Sequence, residues 1–141
     1  MLQAAARAAS EAAERYGVER PKLVAITALT SFDETEWQEI GGELPISKHV
    51  VKLAKLAQSA GVDGVVASPQ EAAMIRAACG PEFLIITPGI RPASAAVNDQ
   101  RRIATPAEAL RLGASRLVIG RPITAAADPA AAVQQIIGEI R

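Results

Sequence analysis

The sequence predicts an α/β fold in which one helix precedes four βα units built around a parallel sheet. Three observations support this. Helix start and stop signals recur along the chain, and short apolar runs fall between the helices. A faint repeat also runs from a helix-ending glycine straight into a strand, once at Gly61-Val62-Asp63-Gly64-Val65-Val66-Ala67-Ser68 and again at Gly113-Ala114-Ser115-Arg116-Leu117-Val118-Ile119-Gly120.

The first helix runs from about Leu2 to Tyr16 and stops at Gly17, since glycine tolerates the left-handed exit from a helix. The second starts at Ser47, sets Val50, Leu53, Ala54, Ala57 and Ala60 on one face, and stops at Gly61. The next two open with matching boxes, Ser68-Pro69-Gln70-Glu71 and Thr105-Pro106-Ala107-Glu108. Each places a hydroxyl at the N-cap, proline in the first turn and glutamate three residues on, so that two free N–H groups are satisfied reciprocally. Gly80 and Gly113 close these helices. The last helix opens at Asp128-Pro129 and carries Val133, Ile136, Ile137 and Ile140 at helical spacing, a face directed at a sheet.

Between the helices lie Leu23 to Leu29, Gly64 to Ala67, Phe83 to Thr87 and Leu117 to Gly120. These runs are too apolar to alternate, which predicts strands buried on both faces. Parallel pairing with right-handed crossovers follows from the βα order. Thr30 to Ile46 and Pro88 to Ala104 are longer than the usual βα loop of about 2 to 6 residues, and loops of such length are commonly functional. Together with the Gly120-Arg121-Pro122 turn they gather polar residues at the C-terminal ends of the strands, where parallel α/β proteins bind ligands.

At 141 residues the chain is expected to be a single domain, 1–141, with one core. Half its residues are apolar, and fifteen basic side chains balance fifteen acidic ones. That balance points to neither nucleic acid nor a membrane surface as partner. The Ala-rich N-terminus is interrupted by Arg7, Glu11, Glu14 and Arg15, which neither a signal peptide nor a membrane span would tolerate, so a cytoplasmic location is expected. With one cysteine, Cys79, and one histidine, His49, no disulfide and no cysteine- or histidine-based metal centre is expected. Cys79 is read as a small packed residue, His49 as a solvated or locally hydrogen-bonded one, and Asp63, just before a strand, as structural.

The chemistry these residues support is anion binding. Arg91 and Arg121 stand just past consecutive strands, and guanidinium forks match phosphate oxygens bidentately. Gly120 lets a backbone N–H approach a ligand closely. From spacing alone, either arginine could equally be a solvated loop charge, Gln100 an ordinary loop residue and Thr30 a strand cap.

Ile26-Thr27-Ala28-Leu29-Thr30-Ser31, the segment Gly61 to Ser68, Ile86-Thr87-Pro88-Gly89-Ile90-Arg91-Pro92, Asn98-Asp99-Gln100-Arg101-Arg102 and Val118-Ile119-Gly120-Arg121-Pro122-Ile123-Thr124 together resemble, in order and spacing, the bacterial orotidine 5'-phosphate decarboxylases. The resemblance covers essentially the whole chain. It implies the C-terminal half of a (β/α)8 TIM barrel and a lyase that converts orotidine 5'-phosphate to uridine 5'-phosphate and CO2 in pyrimidine biosynthesis, with no cofactor. It further implies that Thr30 touches the pyrimidine or its ribose side and that Pro88 lines the pocket. Gln100, Gly120 and Arg121 would hold the 5'-phosphate, with Arg91 reaching it from its loop.

One departure matters. The family's catalytic network includes an Asp-x-Lys-x-x-Asp motif on early strands, and this sequence has none, so no catalytic residue is assigned. Met1 falls just past where the fourth strand of such a barrel would end. The expected ligand is a nucleotide monophosphate, bound by a chain that does not decarboxylate alone. Four strands leave open edges where a full barrel has eight strands in about 250 residues, so either a homodimer or association with an N-terminal half is expected. Alternatives are a free-standing phosphate-binding half-barrel, a degenerate interaction protein, or a related sugar-phosphate decarboxylase.

Overall fold

Alanines interleaved with charged residues build α1 (Leu2–Tyr16), and Gly17, at φ 63°, ends it by donating its N–H back to Ala13 and Glu14. The chain then forms β1 (Val24–Ile26), α2 (Glu34–Glu39), α3 (Ile46–Ser59) and β2 (Gly64–Val66). A 3-10 turn (Pro69–Glu71) leads into α4 (Ala72–Cys79), followed by β3 (Leu84–Thr87), α5 (Pro106–Arg111), β4 (Arg116–Leu117), α6 (Arg121–Thr124) and α7 (Pro129–Glu139). This computed structural model describes residues 1–92 and 102–140. Among them, no helix is long and apolar enough to cross a membrane.

The strands form one sheet in the order β1-β2-β3-β4, every pair parallel, as the βα alternation predicts. Ala25, Val65 and Ile85 lie side by side, and Thr87 pairs with Leu117. Val65, Ile85 and Thr87 are fully buried, and Val65 and Ile85 pack with Val50, Ala54 and Ala57 of α3 and Ala72 and Ile75 of α4. Each fully buried Ile or Val in this layer contributes roughly 2 kcal/mol of apolar transfer. A smaller cluster of Ile90, Ala104, Ala109 and Ala114 extends the layer, with Leu117 and Ile119 packed against it.

The opposite face is not buried as expected. Side chains alternate along a strand, so the registered neighbours Ile26, Val66 and Ile86 share the face away from the helices. Ile26 is 63% and Val118 51% exposed. The apolar runs match strands whose second face is covered in a closed barrel, and these four strands alone do not close. Gly64 sits on this face between Val24 and Leu84, and a Cβ there would lie 2.3 Å from the Leu84 carbonyl oxygen. The close approach of β2 and β3 therefore depends on a missing side chain.

The segment from Thr30 to Ile46 is not a bare loop. Asp33 accepts from Glu36 N–H at 2.9 Å while the Glu36 carboxylate accepts from Asp33 N–H at 3.1 Å, a complete capping box that starts α2. Helix α3 begins at Ile46 rather than at Ser47, because the Glu34 carboxylate takes the Ile46 N–H at 3.1 Å and does the capping from outside. Thr105 and Asp128 cap their helices, accepting from Glu108 and Ala131 N–H, but only this half of the box expected at Thr105 forms, the Glu108 carboxylate lying 4.0 Å from Arg111 instead. Helix α7 makes its main contacts with α5 and α6 instead of the sheet; Ile136 is buried and Ile140 is 40% exposed.

Candidate functional site

All four strands run the same way, so their C-terminal ends share one edge of the sheet and the connections that follow them share one end of the molecule. Thr30 follows β1 and is 8% exposed. Pro88, half-buried, follows β3, and Gly89 turns the chain there with φ 75°. The chain then pairs once more, Ile90 bridging Ala104, with Arg91 N–H donating to Ala104 O at 3.0 Å. This anchors Arg91, whose side chain is 6% exposed. Its Nη1 donates to Ile90 O at 2.9 Å, and its Nε is buried with no hydrogen-bond partner among the described residues.

Strand β4 is two residues long, Arg116–Leu117, because the chain leaves the sheet earlier than the apolar run to Gly120 suggests. The Gly120-Arg121-Pro122 segment is not a simple turn: Gly120 is the N-cap of α6, and its carbonyl accepts from Ile123 and Thr124 N–H at 2.8 and 3.1 Å. A Cβ placed on Gly120 would meet nothing within 4 Å, so this backbone faces open space. Arg121 is the first residue of α6 and is exposed.

The pairing of β3 with β4 brings Pro88 and Arg91 on one side, and Gly120 and Arg121 on the other, onto neighbouring strand ends. Thr30 lies past β1, with β2 between it and β3. Gln100 lies outside the described residues. Two guanidinium groups and an open glycine backbone at adjacent strand ends suit an anion.

A second charged group at this end escaped the sequence analysis. Glu71, assigned there to a capping box, instead pairs with Arg102, Oε1 to Nη1 at 2.5 Å, with both side chains nearly inaccessible. Ser68 still caps the 3-10 turn by accepting from Gln70 N–H, and its Oγ donates to Arg102 O at 3.0 Å. Burial pushes the Glu71 carboxyl above its usual range, against the opposing pull of Arg102 and Ser68. The two residues are thirty-one positions apart, and no local pattern marks them as partners.

Asp63 and Cys79 take the structural places expected of them, whereas His49, expected to be solvated or locally hydrogen-bonded, makes a ring contact. Asp63, at the opposite end of the sheet, accepts from Arg20 Nη1 and from Leu23 N–H, both at 2.7 Å. Cys79 packs in the core. His49 stacks edge-on against Trp37, ring centroids 4.9 Å apart.

A family model described as orotidine 5'-phosphate decarboxylase / HUMPS matches residues 1–136. The chain is 61% identical over 127 residues to the orotidine 5'-phosphate decarboxylase of Geotalea daltonii, covering 90% of this chain and 53% of the relative. With the enzyme of that name from Moorella thermoacetica the identity is 56% over 141 residues, covering 99% and 56%. The crystal structure of orotidine 5'-phosphate decarboxylase from Lactobacillus acidophilus superimposes with a TM-score of 0.71 at 41% identity, over 89% of this chain and 51% of that one. The chain thus spans about half the length of the curated relatives it matches, and its parallel sheet is half of a (β/α)8 barrel. By family match, identity and fold together, the chain belongs to the orotidine 5'-phosphate decarboxylase / HUMPS family.

Proposed function

We propose that residues 1–141 form one domain, the phosphate- and nucleotide-binding half of an orotidine 5'-phosphate decarboxylase acting in the cytoplasm. The single observation that carries this is the placement of Arg91 and Arg121 past the adjacent strands β3 and β4, in a chain 61% identical to a decarboxylase of that name. Arg121 and the open backbone at Gly120 grip the 5'-phosphate, with Gln100 as a further phosphate ligand. Arg91 closes on the phosphate from the β3 side, Pro88 lines the base pocket, and Thr30 meets the pyrimidine or ribose.

The complete reaction takes orotidine 5'-phosphate and a proton to uridine 5'-phosphate and CO2. It breaks the bond from C6 to the carboxylate and leaves an electron pair at C6 for the proton. That step requires a carboxylate cluster to disfavour the substrate's carboxylate and a cationic lysine to stabilise and protonate the carbanion. The sequence holds no Asp-x-Lys-x-x-Asp motif that would supply them. Phosphate binding alone accelerates nothing without the reacting groups. The chain by itself is therefore inactive and works with an N-terminal half that supplies the missing groups; a second copy would cover the open strand edges but lacks the same motif.

The test is a calorimetric titration of the chain with uridine 5'-monophosphate, with uridine as phosphate-free control and Arg121→Ala as site control. Binding that weakens by about tenfold or more without the phosphate or without the Arg121 guanidinium is expected, since a charge-assisted bidentate contact is worth about 1.5–3 kcal/mol. Equal affinity for uridine, or no binding by a chain shown to be folded, rejects the phosphate-site reading.

A further inference from the structure

The Glu71–Arg102 pair costs free energy to bury, and a buried ion pair is often no more stabilising than apolar side chains of the same volume. Its geometry shows what it does instead. Arg102 spends one guanidinium nitrogen on Glu71 Oε1, in the turn after β2, and the other on Leu29 O, in the connection after β1, at 2.8 Å. Its own carbonyl accepts from Ser68 Oγ, again after β2. Two residues on, Ala104 bridges Ile90 and takes the Arg91 N–H, so the same short stretch is also tied to the connection after β3. The stretch around Arg102 thus joins three strand-end connections, those after β1 and β2 through the Arg102 side chain and the one after β3 through the backbone at Ala104, and the points held adjoin two candidate ligand residues, Thr30 next to Leu29 and Arg91 next to Ile90.

We propose that Glu71 and Arg102 are a positioning pair for the nucleotide site, a buried clamp that sets the connections after β1, β2 and β3 in fixed relation and acts on the ligand only through Thr30 and Arg91. The ligand part of this inference rests on the nucleotide-binding reading above; the clamp itself does not. The fork geometry is essential, because a guanidinium can donate to the carboxylate and the carbonyl from two fixed nitrogens and an ammonium cannot. Among the described residues, Glu71 Oε2 and Arg102 Nε remain buried without hydrogen-bond partners. A pair serving stability alone would be better replaced by hydrocarbon.

The experiment compares the chain with Arg102→Lys and with the double variant Glu71→Leu/Arg102→Met, which swaps the pair for apolar side chains and avoids an uncompensated buried charge. Amide hydrogen exchange and uridine 5'-monophosphate titration are both measured. The double variant is expected to melt within a few degrees of the parent. Exchange at the Phe32 amide, which donates to Leu29 O, and at the Arg91 amide should rise by about tenfold or more, while the β2 and β3 amides stay protected. Nucleotide affinity should fall by about tenfold without loss of stability, and Arg102→Lys should fail to restore it. Unchanged exchange at Phe32 and Arg91 in the folded double variant overturns the clamp whether or not nucleotide binds. Faster exchange with unchanged nucleotide affinity overturns the positioning role. Should the parent chain bind no nucleotide while the exchange effect is present, the clamp stands and the nucleotide-binding reading falls.

Discussion

The two ends of the sheet treat their charges differently. At the end where the strands begin, the polar side chains find partners. Asp63 uses both oxygens on Arg20, adds the Leu23 N–H at 2.7 Å, and has Lys22 at 3.7 Å. Arg76 reaches from α4 to the carbonyls of Gly80, Pro81, Phe83 and Gly113 and to Ser115 Oγ, all within 2.7 to 2.9 Å. At the end where the strands finish, the buried side-chain atoms left without partners among the described residues gather together: Glu71 Oε2, Arg91 Nε and Arg102 Nε. In barrels of this type the first end holds the fold and the second holds the ligand. Full satisfaction at one end and unused hydrogen-bonding capacity at the other is what that division looks like in atoms.

Breaking the strand-start end should therefore cost stability, and the largest effect is expected at Gly64. A Cβ there would sit 2.3 Å from Leu84 O and 2.4 Å from Leu84 Cβ, both too rigidly placed in β3 to yield. Gly64→Ala should lower stability by about 3 kcal/mol, or prevent folding, as overpacking between two paired strands does. The midpoint of a urea unfolding curve measures it; a midpoint equal to the parent's would mean that β2 and β3 can separate without penalty.

Next comes Arg76. Its guanidinium ties the end of α4 to the starts of β3 and β4, so Arg76→Met keeps the aliphatic packing and removes only the hydrogen bonds. A loss of about 2 kcal/mol is expected, less than the sum of the single bonds because the one to Pro81 O is exposed and the others are only partly buried, so that water replaces part of what is removed. Arg76→Lys should recover little of it, since a single ammonium cannot span Phe83 O and Gly113 O together. Full recovery by lysine would show that charge rather than the fork matters here.

How much of this contrast was visible in the sequence depends on how local each interaction is. Caps and helix-ending glycines act within about four residues, which is why Thr105, Asp128 and Gly17 were legible. The Asp33 to Glu36 box carries the same signature but was hidden inside a segment read as one long connection. Glu71 carried the signature and does something else, because Arg102, thirty-one residues away, competes for its carboxylate. The apolar strands were legible as strands, while their exposed second face was not, because periodicity records the burial of a closed barrel and not of these four strands alone. Arg91 and Arg121 could be placed at strand ends from spacing, but the proposal that they hold a nucleotide comes from family resemblance; guanidinium groups alone do not name an anion.

A pH titration sharpens the comparison with a smaller effect. Burial pushes the Asp63 carboxyl up, but the hydrogen bonds from Leu23 N–H and Arg20 and the charges of Arg20 and Lys22 outweigh it and hold the group below its usual range. A folded-state value below the unfolded one means that the unfolded chain binds the proton more tightly. The stabilisation from Asp63 is therefore complete above the unfolded value, about pH 4, and drains away as pH falls through the lower, folded value. Thermal unfolding of the parent and of Asp63→Asn should differ at neutral pH and converge as the solution is acidified below about pH 4. A constant gap down to low pH would assign the difference to packing and remove the carboxylate from the account.

The smallest effect on stability is expected at the strand-finish end. Arg121 is exposed at the first position of a four-residue helix, and its neighbour Gly120 faces open space. Arg121→Ala should shift stability by no more than about 0.5 kcal/mol, the usual range for a surface change. The substitution proposed to weaken nucleotide binding would then leave the melting temperature where it was, whereas Arg76→Met is expected to lower it. If Arg121→Ala instead destabilises the chain as much as Arg76→Met does, the two ends are not divided between ligand and fold, and the guanidinium past β4 belongs to the architecture.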